Sequence, residues 1–477
     1  MKGKIVKAGI GYTVGNILLQ CMGIFTLPLY TRLLSTGEYG KYAVFMSYAA
    51  ILLSVVSCAL HTSVRSAKVE YGSKINDYVS SISIVYFFGL SVLVVISLLS
   101  PGVIRDLLSL NRKQLLLLSV YTFSTSIMNL YNTWLSLEYS YKRYIILSAI
   151  NSITSLSISL LLMFTIFNSD RLMGRLIGVT FASVVVASVA LFRIYKTAKP
   201  KYNRDYLSFG LKYSTPLIAH GVAQTLLAQF DRVMINSIVG AAEAGIYSFA
   251  GTVKTLLNVI SNSLNTVWAT WFFDEMSKGN TKQIKRRGKE YCLLVLLFAI
   301  GALCIAPEVV KLLGSRDYWE AMYLAPPMVL DSYVMFVYAI VVQGEYYAKK
   351  TNNVLIGTIL AAIINVITNY IFITKYGYVA AAYTTLFAYT CYLIFHIIIS
   401  RRLIGFCIIS IKQHIFQGII LAVISAFCLL YMQIWLLRWA FALCSVVIIG
   451  TILLKMIAQD GDVNLKKIAS RLPFFNK

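Results

Sequence analysis

Four ionisable side chains stand in stretches of this chain where a charge is costly. The segment "AQFDRVMINS" sets Asp231 and Arg232 side by side inside a long apolar run, Lys254 follows in the next run, and Asp331 lies in a later one. If such runs cross a bilayer, each charge at mid-depth costs about 2.5–3.5 kcal/mol on insertion scales, which makes these residues candidates for function. Counted from the same end of their runs, Arg232 and Lys254 sit about two helical turns in, at similar depth. They can share the wall of a cavity, with Asp231 neutralising one of them. That arrangement leaves up to one net positive charge for an anionic ligand, and the arginine fork suits bidentate phosphate contact. The competing reading is a structural Asp–Lys or Asp–Arg pair between neighbouring helices. Asp331 is a candidate carrier of a coupling proton, H+ or Na+ being open as the coupling ion. His61 and His220, near the middle of their runs, can titrate or bind sugar, or simply pack and hydrogen-bond. Arg32 and Arg65, near run ends, complete the candidate set, with snorkelling as their alternative role. The chain has no P-loop, HExxH or GxSxG motif and no acid-rich metal cluster, so neither catalysis nor a metal or cofactor is expected.

The elements that carry these residues follow from composition. The chain has 477 residues, 58% hydrophobic and 13% charged, with a mean hydropathy of +0.73, more apolar than one soluble core can bury. A bilayer core about 30 Å thick needs roughly 20 residues of helix, and about fourteen runs of that kind can be counted. Continuous apolar runs of this length exclude a β-barrel, whose strands alternate over about 10 residues. The joints are short, so the expected fold is an all-α integral membrane protein. Residues 1–195 form a first lobe of six spans, 196–208 a basic linker, 209–400 a second lobe of six, and 401–477 two further spans and a tail. The net charge of +24 is placed, not spread: with both termini cytoplasmic, about 30 Lys and Arg fall on the cytoplasmic side and about 11 on the other. That bias fixes the orientation and removes the need for a nucleic-acid partner. The eight cysteines lack CxxC spacing and read as small packing residues.

A repeat divides the chain. "STGEYGKY" (residues 35–42) has a counterpart in "GAAEAGIY" (240–247): an offset of 205 pairs Glu38 with Glu243, Gly40 with Gly245 and Tyr42 with Tyr247. "SPGVIRDLLS" and "APEVVKLLGS" match at an offset of 206, at the corresponding point of each half. Six intervening spans make the two copies cross in the same sense, related by an axis along the membrane normal, with a cavity expected between them. The repeated motif reads as a helix-hairpin joint: the glycine permits a tight turn, the glutamate sits near the next helix N-terminus, and the tyrosine rests at the interface.

The runs "QFDRVMINSIVGAAEAGIYSFAGTV", "APEVVKLLGS", "GEYYAKKTNN" and "NVITNYIFITKYGYVAAAYTT" resemble the bacterial polysaccharide exporters of the multidrug/oligosaccharidyl-lipid/polysaccharide (MOP) superfamily, in particular the Wzx O-antigen flippases. The likeness runs through nearly the whole chain. It implies a V-shaped protein of the bacterial inner membrane that moves a polyprenyl-pyrophosphate-linked oligosaccharide, an O-antigen or capsule repeat unit, between leaflets by alternating access. The implied partners are that lipid-linked substrate, membrane lipids, and the polysaccharide polymerase and glycosyltransferases of the same process. In the matching spans Arg232 and Lys254 take the place of the cationic cavity residues. A drug/cation antiporter of the same superfamily is the alternative, weighed against by the absence of any Asp or Glu in the first span, Ala8 to Leu33. A membrane oligosaccharide polymerase calls for a long external loop with paired basic residues, which the sequence lacks.

Overall fold

The computed structural model describes residues 2–458; the expected cytoplasmic tail, 459–477, lies outside the described residues. Every regular element among the described residues is helical. The fourteen helices of 17 residues or more are α1 (Lys2–Leu33), α2 (Thr36–Val56), α3 (Ile75–Leu99), α4 (Arg112–Leu137), α5 (Tyr141–Phe164), α6 (Arg171–Thr197) and α7 (Arg204–Ile238). They continue as α8 (Ala241–Ser277), α9 (Thr281–Leu313), α10 (Ala325–Val341), α11 (Thr351–Tyr376), α12 (Ala380–Ile404), α13 (Ile411–Leu430) and α14 (Trp435–Ala458). Each corresponds to one of the expected apolar runs. By length and composition, nine spans among the described residues can cross a membrane. The rest hold shorter apolar stretches, as in α1 and α13, or are diluted by polar residues, as in α4, α7 and α8. Asp231, Arg232 and Lys254 are among those diluting residues. Outward faces carry Phe25, Phe88, Leu99 and Phe192, each more than half exposed, as lipid-facing side chains are.

The described residues divide into two compact units, one of residues 2–249, 312–319 and 358–384, the other of 250–311, 320–357 and 385–458. In the first unit, Ser35 caps α2: its Oγ accepts from the Glu38 N–H at 3.2 Å while the Glu38 carboxylate accepts from the Ser35 N–H at 2.9 Å. This is a capping box, and it puts the negative charge at the positive end of α2. The repeated glycines behave differently from the expectation. Gly40 and Gly245 are helical residues, not turn residues, and each lies against the other copy's joint. A Cβ on Gly40 would run into the Ala241 carbonyl oxygen, and a Cβ on Gly245 into that of Thr36. At the offset of 205, Thr36 is the counterpart of Ala241. The contact is therefore reciprocal, each copy presenting the same surface to the other, as in an isologous interface. Glycine is required here for backbone approach. The end of α9 and the turn after it seal the same region: Thr31 Oγ1 donates to the Leu313 carbonyl at 2.8 Å, and Tyr318 OH to those of Leu34 and Ser35 at 3.2 and 3.1 Å.

The second expected span, running to Ser63, is broken. α2 ends at Val56, and Cys58 and Ala59 then take left-handed φ values of 46° and 47°, costly for residues with a Cβ. Ser57 Oγ supports the break by accepting from the Ala59 N–H at 3.2 Å. His61 therefore lies in the 3-10 turn Leu60–Ser63, not in mid-helix.

In the second unit, Trp268 is fully buried and its indole N–H reaches the Ile340 carbonyl at 3.3 Å. Arg438, buried on α14, meets Glu308 of α9 at 2.5 Å and also donates to the Cys304 carbonyl. Gly344, on the short helix Gln343–Tyr347 that follows α10, and Gly357 of α11 lie where a Cβ would strike Ser400 and His396 of α12 respectively. α12 therefore packs closely against both elements.

Candidate functional site

Lys254 of α8 and Asp331 of α10 form an ion pair in the second unit. The ammonium is 2.7 and 2.9 Å from the two carboxylate oxygens and lies 5.3 Å from the centre of the Tyr389 ring. Asp331 is buried, whereas the lysine side chain keeps a quarter of its surface exposed. A carboxylate this deep in an apolar bundle must be neutralised or paired. The carboxylate that meets Lys254 is thus Asp331, and the coupling residue and the cavity cation of the sequence reading are two ends of one contact.

Asp231 accepts from two neutral donors in the first unit. Its Oδ2 accepts from Tyr247 OH at 2.8 Å and its Oδ1 from the Asn369 amide at 2.6 Å. Asn369 also donates to Asn365 Oδ1 at 3.2 Å and accepts from Thr384 Oγ1. Asp231, Asn365, Asn369 and Thr384 are all buried. Oxygen atoms dominate the cluster, which suits a proton or a hard cation better than a soft metal. No group of three or more His, Cys, Asp or Glu side chains able to hold a metal occurs among the described residues. Arg232, one residue along α7 and so about 100° around its axis, is half-buried and donates to Gln229 Oε1 at 2.7 Å and the Ala228 carbonyl at 3.2 Å.

A third centre, Arg175 of α6, was not singled out in the sequence. Gly174 and Gly178 flank it, and both lie where a Cβ would press on α5 at Met163 and Ser159. That close approach brings two α5 hydroxyls to the guanidinium: one nitrogen donates to Tyr30 OH (2.7 Å), Ser159 Oγ (3.0 Å) and Ser155 Oγ (3.2 Å), the other to Tyr42 OH (3.1 Å). The guanidinium carbon is 3.9 Å from the Tyr30 ring centre and 4.9 Å from that of Tyr42. Hydroxyl dipoles and π-faces hold this cation, and no carboxylate is paired with it among the described residues. The tyrosines of the duplicated motif have polar partners: Tyr42 OH accepts from Arg175, and Tyr247 OH donates to Asp231.

The model of the family described as "Polysaccharide biosynthesis protein" matches residues 5–276. The chain belongs to this polysaccharide biosynthesis family. A curated relative, "Lsg locus putative protein 1" of Haemophilus influenzae, is 22% identical over 383 residues, covering 76% of this chain and 90% of its own. Among solved structures, the chain is similar to the lipid II flippase MurJ in an inward closed conformation, with a TM-score of 0.72 at 16% identity over 94% of this chain and all of that one. It is also similar to an inward-facing multidrug resistance MATE transporter of the MOP superfamily, with a TM-score of 0.61 at 13% identity over 82% and 98%. The fold is therefore shared with these two membrane proteins. The family match takes in Arg175, Asp231, Arg232 and Lys254 and ends before Asp331.

The remaining candidates do not join these clusters among the described contacts. Arg32 and Arg65 are exposed and form no described ion pair. His61 is half-buried, and its Nδ1 has no hydrogen-bond partner among the described residues. His220 Nδ1 lies 3.4 Å from Thr358 Oγ1, a packing-type contact. Besides Arg175, the family member holds a second unforeseen pair, Glu345 and His396, fully buried with Oε1 and Nδ1 2.5 Å apart. No local spacing in the sequence marks that pair, whose partners are 51 residues apart. For Arg175 a signal exists: a second arginine one turn after Arg171, the first residue of an apolar helix.

Proposed function

We propose that the protein is a flippase for a polyprenyl-pyrophosphate-linked oligosaccharide, an O-antigen or capsule repeat unit, in the bacterial inner membrane. The observation that carries this reading is the reciprocal Gly40–Gly245 contact. It joins two homologous halves by one hairpin each, at one end of their helices, where a small separation opens a path and a small approach closes it. The lobes 1–195 and 209–400, connected by 196–208, rock about that contact, with both termini cytoplasmic. The family description and the likeness to a lipid II flippase support a lipid-linked sugar as cargo.

Within this cycle Arg232 and Arg175 supply cationic contact to the diphosphate, and Lys254 exchanges Asp331 for the phosphate oxygens when substrate enters. Asp231, held by neutral donors, carries the coupling proton or cation. The glycan polymerase and glycosyltransferases act before and after transport. Arg232→Ala combined with Lys254→Ala lowers surface polysaccharide and raises the pool of lipid-linked precursor at unchanged protein level; normal surface polysaccharide in that double variant refutes the site. A reporter inserted between Lys278 and Lys289 reads as cytoplasmic, and an external signal there refutes the orientation.

A further inference from the structure

The second unit carries a basic bowl that the transport reading does not use. On α9, Lys282, Lys285, Arg286 and Lys289 recur at i, i+3, i+4 and i+7, which puts them on one face of the helix. Opposite them, α12 ends with Arg401 in its last turn, and Gly405, at φ +81°, turns the chain back with its N–H on the Arg401 carbonyl at 3.0 Å. The returning segment can lie close to α9 because Gly288 leaves room for the Ile408 carbonyl, 3.4 Å from where a Cβ would stand. Lys412 then opens α13. The result is a concavity of about 990 Å³ walled by these six bases, with Phe406, Cys407 and Ile411 among the lining residues and no acidic side chain.

The charge is largely uncompensated. Glu290 binds Arg286 at 3.4 Å and Arg287 at 2.7 Å. Among the described residues no carboxylate is paired with Lys282, Lys285, Lys289, Arg401 or Lys412. The Lys285 ammonium sits 5.3 Å from the centre of the Phe406 ring, over an apolar floor. A general preference for basic residues on one side of the membrane accounts for their number but not for their convergence on one concave, partly apolar surface.

We propose that this bowl binds the phosphodiester headgroup of an anionic phospholipid. Its depth selects that ligand. The bowl lies at the ends of Thr281–Leu313 and Ala380–Ile404, both long and apolar enough to span a membrane, and beside the start of α13, so it stands at headgroup level whichever way the chain is oriented. Phosphate oxygens meet the ring of cations, while Phe406 and Ile411 receive the glycerol ester and the first methylenes. Basic residues near a membrane surface each favour anionic lipid by about 1 kcal/mol, so removing three weakens binding about 100-fold. Because binding is read without transport, the proposal stands or falls separately from the flippase function.

The test is native mass spectrometry of the purified full-length chain in detergent, titrated with cardiolipin and, in parallel, with phosphatidylcholine and inorganic phosphate. The wild type retains one saturable cardiolipin in preference to phosphatidylcholine, and Lys282→Gln/Lys285→Gln/Lys289→Gln loses it by about 100-fold. The control Lys349→Gln/Lys350→Gln, of smaller charge change and away from the bowl, keeps it, and thermal unfolding verifies that both variants are folded. Equal retention by the triple variant and the control overturns the proposal. So does inorganic phosphate displacing the lipid at millimolar concentration, which would mark the bowl as a site for free phosphate.

Discussion

Replacing Gly40 by alanine adds one carbon at the point where the two hairpin joints touch. The new methyl would overlap the Ala241 carbonyl oxygen and lie only 2.8 Å from the Ala241 carbonyl carbon and the Gly245 nitrogen. All three are backbone atoms, so no rotamer change relieves the clash and the joints must part. Overpacking of this kind costs about 1–3 kcal/mol, which at about 1.4 kcal/mol per decade shifts the population of the closed contact about 5- to 150-fold toward separation. An internal control isolates the effect. Gly37 lies in the same helix with nothing within 4 Å of its Cβ position, so Gly37→Ala gains helix propensity and disturbs no contact. Gly245→Ala acts on the same contact from the other side, and the double variant costs less than the sum of the two. Spin-label distances between Lys41 and Val239, both exposed, in a chain whose eight cysteines are otherwise replaced, lengthen in Gly40→Ala and not in Gly37→Ala. Export of surface polysaccharide falls in parallel. Unchanged distances and unchanged export in Gly40→Ala refute the role given to the contact.

Asp331→Asn leaves the Lys254 ammonium without its counterion and destabilises the protein by about 3 kcal/mol, whereas Lys254→Met/Asp331→Asn recovers most of that loss; thermal unfolding in detergent reads both. Arg175→Lys removes the planar fork that reaches four hydroxyls and stacks on Tyr30, at a cost of about 2 kcal/mol and with reduced export, measured on the same samples. At the end of α8, outside the span, the Lys278 ammonium and then the Asn280 amide bind the Glu275 carboxylate and hold its pKa below the ordinary glutamate range. A depressed carboxylate contributes stability above its unfolded pKa and loses it as pH falls through the folded value. Unfolding temperature in acid therefore drops less steeply in Glu275→Gln than in the wild type, and identical slopes count against the contact.

Much of the scaffold was legible because membrane spans announce themselves locally, as runs of apolar residues between polar joints. The duplication was legible for a similar reason, since Glu38, Gly40 and Tyr42 keep their spacing in Glu243, Gly245 and Tyr247. The use made of those residues was not. A glycine that serves a turn and a glycine that admits a backbone from two hundred residues away look alike in sequence, and only the fold distinguishes them. Partner choice was hidden too: Lys254 stands 77 residues from Asp331, while Asp231 turns away along α7 toward Tyr247 and Asn369. Arg175 escaped notice because position near a span end suggests snorkelling, and nothing local records that Gly174 and Gly178 draw α5 onto it. The break after Val56 was masked by the apolar character of the residues that form it.

The mutual seating of Gly40 and Gly245 also bears on ancestry. A surface that meets its own copy closes as well between two identical chains as between two halves of one, so a half-length precursor pairing with itself would have formed the same contact. Two copies in one chain are free to differ. One tyrosine of the motif now holds an arginine and the other an aspartate.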